Sequence, residues 1–273
     1  MLNDLYQALD PVALSLGPLV IRWYGIAYLA GFLLAAFIIY RVARHWKLTV
    51  DLDSLLTIMV CVIAGILLGA RLGYCLFYGQ GTYFEDPLKI FAFNEGGMSF
   101  HGGLLGALIA GIAAAKLTHI PYLTLADLGA IAAPVGLFFG RLANFVNGEL
   151  WGAPTDLPWG VVFGGAAGDI PRHPSQLYEA LLEGVIIFCV LLILARKVPP
   201  RPRGTFIGAF LVLYGLFRIL MEFVRQPDAQ LGYLFGDWLT MGMVLSVPLV
   251  LVGAVLLTYA HIRQLPEEGV SVR

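Results

Sequence analysis

Arg22, Arg71, Arg141 and Arg218 each stand inside a long apolar run. At the centre of a bilayer helix a charged side chain costs about 2.5–3.5 kcal/mol on insertion scales. Four of them approach the whole stability of a small domain, so the charges must be compensated. A guanidinium offers a planar fork of N–H donors that matches a phosphate. An anionic group of that kind is the simplest partner for a layer of arginines. Helical spacing adds polar neighbours to the same faces. Arg141, Asn144 and Asn147 recur every three residues, Arg218, Glu222 and Arg225 fall at i, i+4 and i+7, and Arg71, Tyr74 and Tyr78 make a third stripe. Glu222 is placed to neutralise one arginine and steady the other. Tyr24 and His101 join the layer. An imidazole titrates nearest to neutral pH, which suits His101 to taking a proton from a weakly acidic nucleophile; Glu149 is the rival base. Snorkelling toward the interface is the plainer account of Arg22, and an aromatic belt that of Tyr78.

The elements that must carry these residues follow from composition. The 273-residue chain is 59% hydrophobic and 13% charged, where about a quarter of a typical soluble domain is charged. Its mean hydropathy is +0.82. Such a chain cannot cover itself with polar surface, so lipid is its solvent. A net charge of −1 with no basic patch gives no sign of a nucleic-acid partner. A span takes roughly 20 helical residues, and seven stretches qualify, at about 18–41, 53–78, 98–117, 124–147, 176–195, 205–225 and 237–260. The fold class expected is an all-α integral membrane protein, a single transmembrane catalytic domain over residues 1–273. Inner loops collect Arg41, Arg44, Lys47, Lys116, Arg196, Lys197, Arg201, Arg203, Arg263 and Arg273, while outer loops hold only Lys89, Arg172 and Arg225. The positive-inside rule then sets the N-terminus outside and the C-terminus in the cytoplasm. On that orientation the four arginines fall in one layer, roughly 5–10 Å below the outer surface at 1.5 Å per residue. The Gly-, Pro- and Trp-rich segment at about 148–175 lies outside, as a folded-back gate or a plain connector. The N-terminus is acidic and lacks the basic start of a cleaved signal peptide. Gly102, Gly106 and Ala110 read as small-residue helix packing. Cys61, Cys75 and Cys189 sit in apolar runs without metal-ligand spacing and read as packing residues.

Five segments carry a resemblance: RWYG at 22–25, GGMSFHGGLLG at 96–106, GRLANFVNGELWG at 140–152, RHPSQLYE at 172–179 and YGLFRILMEFVRQPDAQ at 214–230. In them the chain resembles the bacterial phosphatidylglycerol–prolipoprotein diacylglyceryl transferases, over nearly its whole length; GRLANFVNGE is the specific part. The resemblance implies a multi-pass enzyme of the bacterial cytoplasmic membrane with its site toward the outer face. Its reaction would move the sn-1,2-diacylglyceryl group of phosphatidylglycerol to the lipobox cysteine of a prolipoprotein signal peptide, forming a thioether and releasing glycerol phosphate, with no metal or cofactor. It implies essential roles for His101, Arg141 and Arg218, with Tyr24, Asn144, Glu149 and Gly152 nearby. Arg71, Asn147, Tyr214, Glu222 and Arg225 complete the expected substrate contacts. The nucleophile arrives with the substrate, so the chain's own cysteines are not required. The thiolate is the reactive form of that cysteine, and arginines in a low-dielectric site would stabilise the leaving phosphate.

Other classes fit less well. Transporters commonly show paired repeats and midplane sites, whereas here no repeat is visible and the polar layer is off-centre. Metal-dependent phospholipid synthases need clustered aspartates, and no span holds an Asp pair. Ser99 beside His101 lacks the frame of an intramembrane serine protease.

Overall fold

The computed structural model describes residues 1–17, 19–78, 83, 86–92, 96–227, 232–236 and 238–269. The side chains of Leu19, Tyr78, Phe100 and His101 lie outside that description, as does Arg273. The chain is a predominantly helical integral membrane protein. Among the described residues six helices are long and apolar enough to span: α2 (Trp23–His45), α3 (Leu52–Tyr78), α5 (Tyr122–Asn147), α6 (Ser175–Ala195), α7 (Thr205–Glu222) and α8 (Met241–Arg263). Between α3 and α5 lies α4 (Phe100–Thr118), whose apolar stretch Gly102–Thr118 is shorter. A short helix α1 (Leu2–Gln7) precedes them, and two small hairpins interrupt the series, β1 (Val12–Leu16) with β2 (Leu19–Arg22) and β3 (Tyr233–Phe235) with β4 (Leu239–Thr240). Leu29, Leu33 and Phe37 on α2 are exposed, as expected of side chains whose solvent is lipid.

The first hairpin corrects the expected start of the first span. Val12–Leu16 and Leu19–Arg22 form antiparallel strands, Gly17 after the first strand has φ +60°, and the helix begins only at Trp23. Arg22 therefore ends a strand and is exposed, not buried in a helix.

By backbone packing the chain divides into two compact units, Met1–Val42 with Asp127–Pro266, and Ala43–Ala126 with Glu267–Arg273. In the second unit α3 and α4 pack with backbones nearly touching. A Cβ added at Gly69 would stand 2.8 Å from the Cα of Gly106, and one at Gly73 would stand 2.8 Å from the Cα of Gly102. The small-residue spacing on α4 thus does the packing expected of it. Ser99 caps α4, its hydroxyl accepting the Gly102 N–H at 3.2 Å.

In the first unit α7 and α8 pair through Gly208 and Gly253, where a Cβ at Gly208 would meet the Gly253 carbonyl at 3.0 Å. The start of α7 is held by a fully buried carboxylate. Asp127 accepts the N–H groups of Gly204 at 2.6 Å and Ile207 at 2.7 Å. This satisfies donors that a helix start otherwise leaves without partners. The α6 helix is not regular: a π-helical stretch, Ala180–Ile186, separates its first turn from the apolar Ile187–Ala195.

Candidate functional site

The first unit brings three arginines round one carboxylate. Glu179, at the end of the first turn of α6, has no exposed surface. Its oxygens pair with Arg141 Nε at 2.8 Å, Arg225 Nη1 at 3.3 Å and Arg218 Nη1 at 3.4 Å. Glu183, also fully buried, lies 3.3 Å from Arg141 Nη2. Glu222, one turn after Arg218 on α7, pairs with Arg218 Nη2 at 2.5 Å. It is held in turn by the Thr240 hydroxyl, which donates at 2.6 Å. Thr240 also caps α8 by accepting from Met243 N, and Gly242 leaves the space the Glu222 carboxylate fills, since a Cβ there would lie 2.5 Å from it. Arg218, Glu222, Arg225 and Thr240 line a pocket of about 20 Å³, room for about one water.

Two anions of the cluster, Glu179 and Glu183, are not among the site residues expected from the sequence. Glu179 and Glu183 lie four residues apart in a span, a spacing as costly in lipid as the arginines themselves, and that was the available signal. With Glu222 they set three carboxylates against the guanidiniums of Arg141, Arg218 and Arg225, so the cluster is formally neutral and not a cationic layer. Its two sides differ. The side chains of Glu179 and Glu183 are 0% exposed, while those of Arg141, Arg218 and Arg225 are 14%, 16% and 11% exposed. What surface the cluster offers to a ligand therefore lies on the arginine side chains and not on Glu179 or Glu183. Arg225 reaches the cluster although α7 ends at Glu222, so the expected i, i+7 helical face does not carry it. Instead a lone antiparallel bridge pairs it with Gly152.

That bridge joins the cluster to the segment after α5. Asn144 donates to Glu149 Oε1 at 2.8 Å and Asn147 to the same oxygen at 3.4 Å. Gln176 Nε2 holds the Glu149 carbonyl at 2.7 Å, and Ser175 Oγ the Leu150 carbonyl at 3.1 Å, which fastens the segment to the start of α6. Gly152 is fixed by space: a Cβ there would stand 2.6 Å from both His173 Cβ and the Val224 carbonyl oxygen. Farther along, Arg172 stacks on Trp151 at 4.4 Å and donates to Ala167 and Gln226. His173, whose ring lies 3.4 Å from the Tyr178 hydroxyl, titrates below its ordinary value because burial disfavours the charged ring. The N-terminal helix closes the other side of this segment, where Tyr6 packs between Phe145 and Phe163 and Asn3 accepts from Val162 N at 2.9 Å.

Tyr24 hydrogen-bonds Tyr28 at 3.2 Å and lies within electrostatic reach of Glu149 and Arg141. Tyr214, one turn before Arg218, lies within such reach of Arg141 and Glu183. The first unit thus brings together Tyr24, Arg141, Asn144, Asn147, Glu149, Gly152, Tyr214, Arg218, Glu222 and Arg225, and it adds Glu179, Glu183, Gln176 and Thr240.

Arg71 belongs to the second unit and is 1% exposed. Its Nε donates to the Ile90 carbonyl at 2.8 Å, Nη2 to Lys89 at 2.5 Å and Ala92 at 3.1 Å, and Nη1 to Gly96 and Gly97. These bonds fold the segment leading into α4, whose first turn contains His101. The His101 and Tyr78 side chains lie outside the described residues. Cys61, Cys75 and Cys189 are free thiols. Among the described residues no group of three His, Cys, Asp or Glu side chains could hold a metal ion.

The family model described as prolipoprotein diacylglyceryl transferase matches residues 11–259. A Geobacter sulfurreducens protein named phosphatidylglycerol–prolipoprotein diacylglyceryl transferase is 50% identical over 248 residues, covering 91% of this chain and 94% of its own. A Rhodospirillum centenum protein of the same name is 52% identical over 259 residues, covering 93% of each chain. One from Photobacterium profundum is 46% identical over 256 residues, covering 94% of this chain and 95% of its own.

Proposed function

The chain belongs to the prolipoprotein diacylglyceryl transferase family, and from that premise we propose that it transfers the sn-1,2-diacylglyceryl group of phosphatidylglycerol to the lipobox cysteine thiol of a prolipoprotein. The thiol loses its proton to a base, His101 or Glu149. The thiolate sulfur attacks the glyceryl carbon that carries the phosphate ester. A C–S bond forms as the C–O bond breaks, and glycerol phosphate leaves with the bonding electron pair. Charge grows on the departing oxygen, and the edges of Arg141 and Arg218 stabilise it where water is scarce. Arg225 and Tyr214 flank the phosphate. Asn144, with Asn147 and Glu149, orients the headgroup glycerol, and Tyr24 borders that position. Gly152 keeps the outer segment close to Arg225. Arg71 serves indirectly, by shaping the backbone before His101. The setting is the bacterial cytoplasmic membrane, with seven spans, the N-terminus outside, the C-terminus inside and the site toward the outer face.

The observation that supports this reading most is the gathering of three partly exposed arginine side chains, two of them on apolar helices, round the fully buried Glu179. It is tested with purified enzyme in vesicles of phosphatidylglycerol and a synthetic signal peptide bearing a lipobox cysteine. The expected product is a peptide heavier by one diacylglyceryl group, bound through a thioether that resists hydroxylamine, with glycerol phosphate released in equal amount. Lipid moved across the vesicle with no such product would overturn it.

A further inference from the structure

We propose that Glu179 is the positioning residue of this site: its carboxylate aligns Arg141, Arg218 and Arg225 so that their free edges meet the substrate phosphate as one set. The inference rests on the diacylglyceryl-transfer reading for its kinetic consequences, though not for its geometry. Glu179 stands at the centre of the cluster. It meets guanidiniums from α5, from α7 and from the segment beyond α7, at 2.8–3.4 Å. Glu183 and Glu222 do something narrower, the first holding Arg141 and the second holding Arg218. Glu179 is also fully buried, so it acts on a substrate only through the arginines. Bonds to a charged carboxylate are short and directional, and one that engages Nε or Nη1 fixes the plane of the guanidinium and leaves other N–H groups for an anion. Helical packing alone would let three long side chains wander. The π-helical stretch begins at the next residue, Ala180, a deformation common at functional sites.

The test uses the full chain in nanodiscs containing phosphatidylglycerol. Glu179→Gln keeps the shape and removes the charge. Its expected effect is a fall in kcat of about 100-fold, the size that roughly 1 Å of misplacement causes, with KM for the lipid unchanged or lower. Glu179→Asp keeps the charge on a shorter arm and recovers part of the loss, whereas Glu183→Gln loses less than Glu179→Gln. A Glu179→Gln enzyme turning over, per folded molecule, within about threefold of the parent overturns the proposal.

A second readout does not use turnover. Phenylglyoxal modification, mapped by peptide mass, is expected to reach Arg141, Arg218 and Arg225 faster in Glu179→Gln than in the parent; equal rates overturn the proposal. Should the parent form no thioether, the transfer reading fails while the modification rates still judge Glu179. If Glu179→Gln does not accumulate, the charge-balanced pair Glu179→Gln with Arg225→Gln is compared with Arg225→Gln alone. A further drop of about tenfold is expected, and equal turnover overturns the proposal.

Discussion

At Arg141 the side chain meets two acids at once, Glu179 through Nε and Glu183 through Nη2. A lysine keeps the charge but has one nitrogen and no fork, so it cannot hold both acids and also face a phosphate. Arg141→Lys and Arg218→Lys are expected to lower kcat/KM by about 100-fold, roughly 2.7 kcal/mol of transition-state stabilisation; near-parental kcat/KM in either variant would rule out forked recognition. Gly152 makes a different demand, for space. Gly152→Ala must displace His173 or the Val224 carbonyl, and overpacking of that kind costs about 1–3 kcal/mol. It should loosen the bridge to Arg225, seen as faster amide exchange at Ala153, whose N–H bonds Val224 at 2.9 Å. The two residues were unequally legible. An arginine in an apolar run declares itself by its cost, whereas Gly152 carries no signal beyond its motif, because its constraint comes from His173 and Val224, residues distant in sequence or outside its own run. Glu179 and Glu183 carried the same cost as the arginines and stood in plain view within a span.

Elements explain why these residues hold their places. The α7 helix, which carries Tyr214, Arg218 and Glu222, is held at its start by Asp127 and at its end by the Glu222–Thr240 link to α8. Removing a capping side chain costs about 0.5–2 kcal/mol, and two buried N–H groups left without partners raise that. Asp127→Ala is expected to lower the midpoint of thermal unfolding by several degrees, while Asp127→Asn, which retains one acceptor, loses less. Identical midpoints for the two would show that the cap is not what holds α7. The segment between α5 and α6 carries a pH dependence. His173 is held below its ordinary value by burial, so the unfolded segment takes up a proton before the folded one does. Stability from this group is complete above the unfolded pKa of about 6.5 and is lost as pH falls below it. The protection of amides across residues 151–173, taken relative to their intrinsic exchange rates at each pH, should fall below that pH in the parent and not in His173→Gln; equal protection profiles for the two would rule the dependence out. Helices with a sustained apolar run were easy to read; the hairpin at 12–22 was not. Its VALSL and LVIR are apolar enough to extend the following helix on paper, and short apolar runs do not distinguish strand from helix. The π-helical stretch in α6 was likewise invisible, because a one-residue widening leaves the apolar pattern intact.

For the whole molecule the charge pattern predicts which way it faces the membrane, on grounds separate from the site. Lys and Arg concentrate in the loops assigned to the cytoplasm, and retention of cations on that side orients the chain during insertion. On the proposed orientation Arg141 and Arg218 lie nearer the outer leaflet, so the proposed topology and the proposed chemistry stand or fall together. Thiol labelling can decide it once the native cysteines are gone. Cys61 and Cys189 are not buried and Cys75 is a small packed residue, so replacing all three by alanine or serine should cost little stability and leave turnover largely intact. Abolished turnover would mean that a native thiol takes part in the reaction. In that background, cysteines introduced for the exposed residues Asp4 and Glu268 report the two ends of the chain. In intact cells a membrane-impermeant maleimide should label Asp4→Cys and spare Glu268→Cys until the membrane is opened. The reverse pattern would place the arginine edges on the cytoplasmic side, away from a signal peptide emerging outside. Equal labelling at both ends would break the odd number of spans, and with it the assignment of α4 as the seventh.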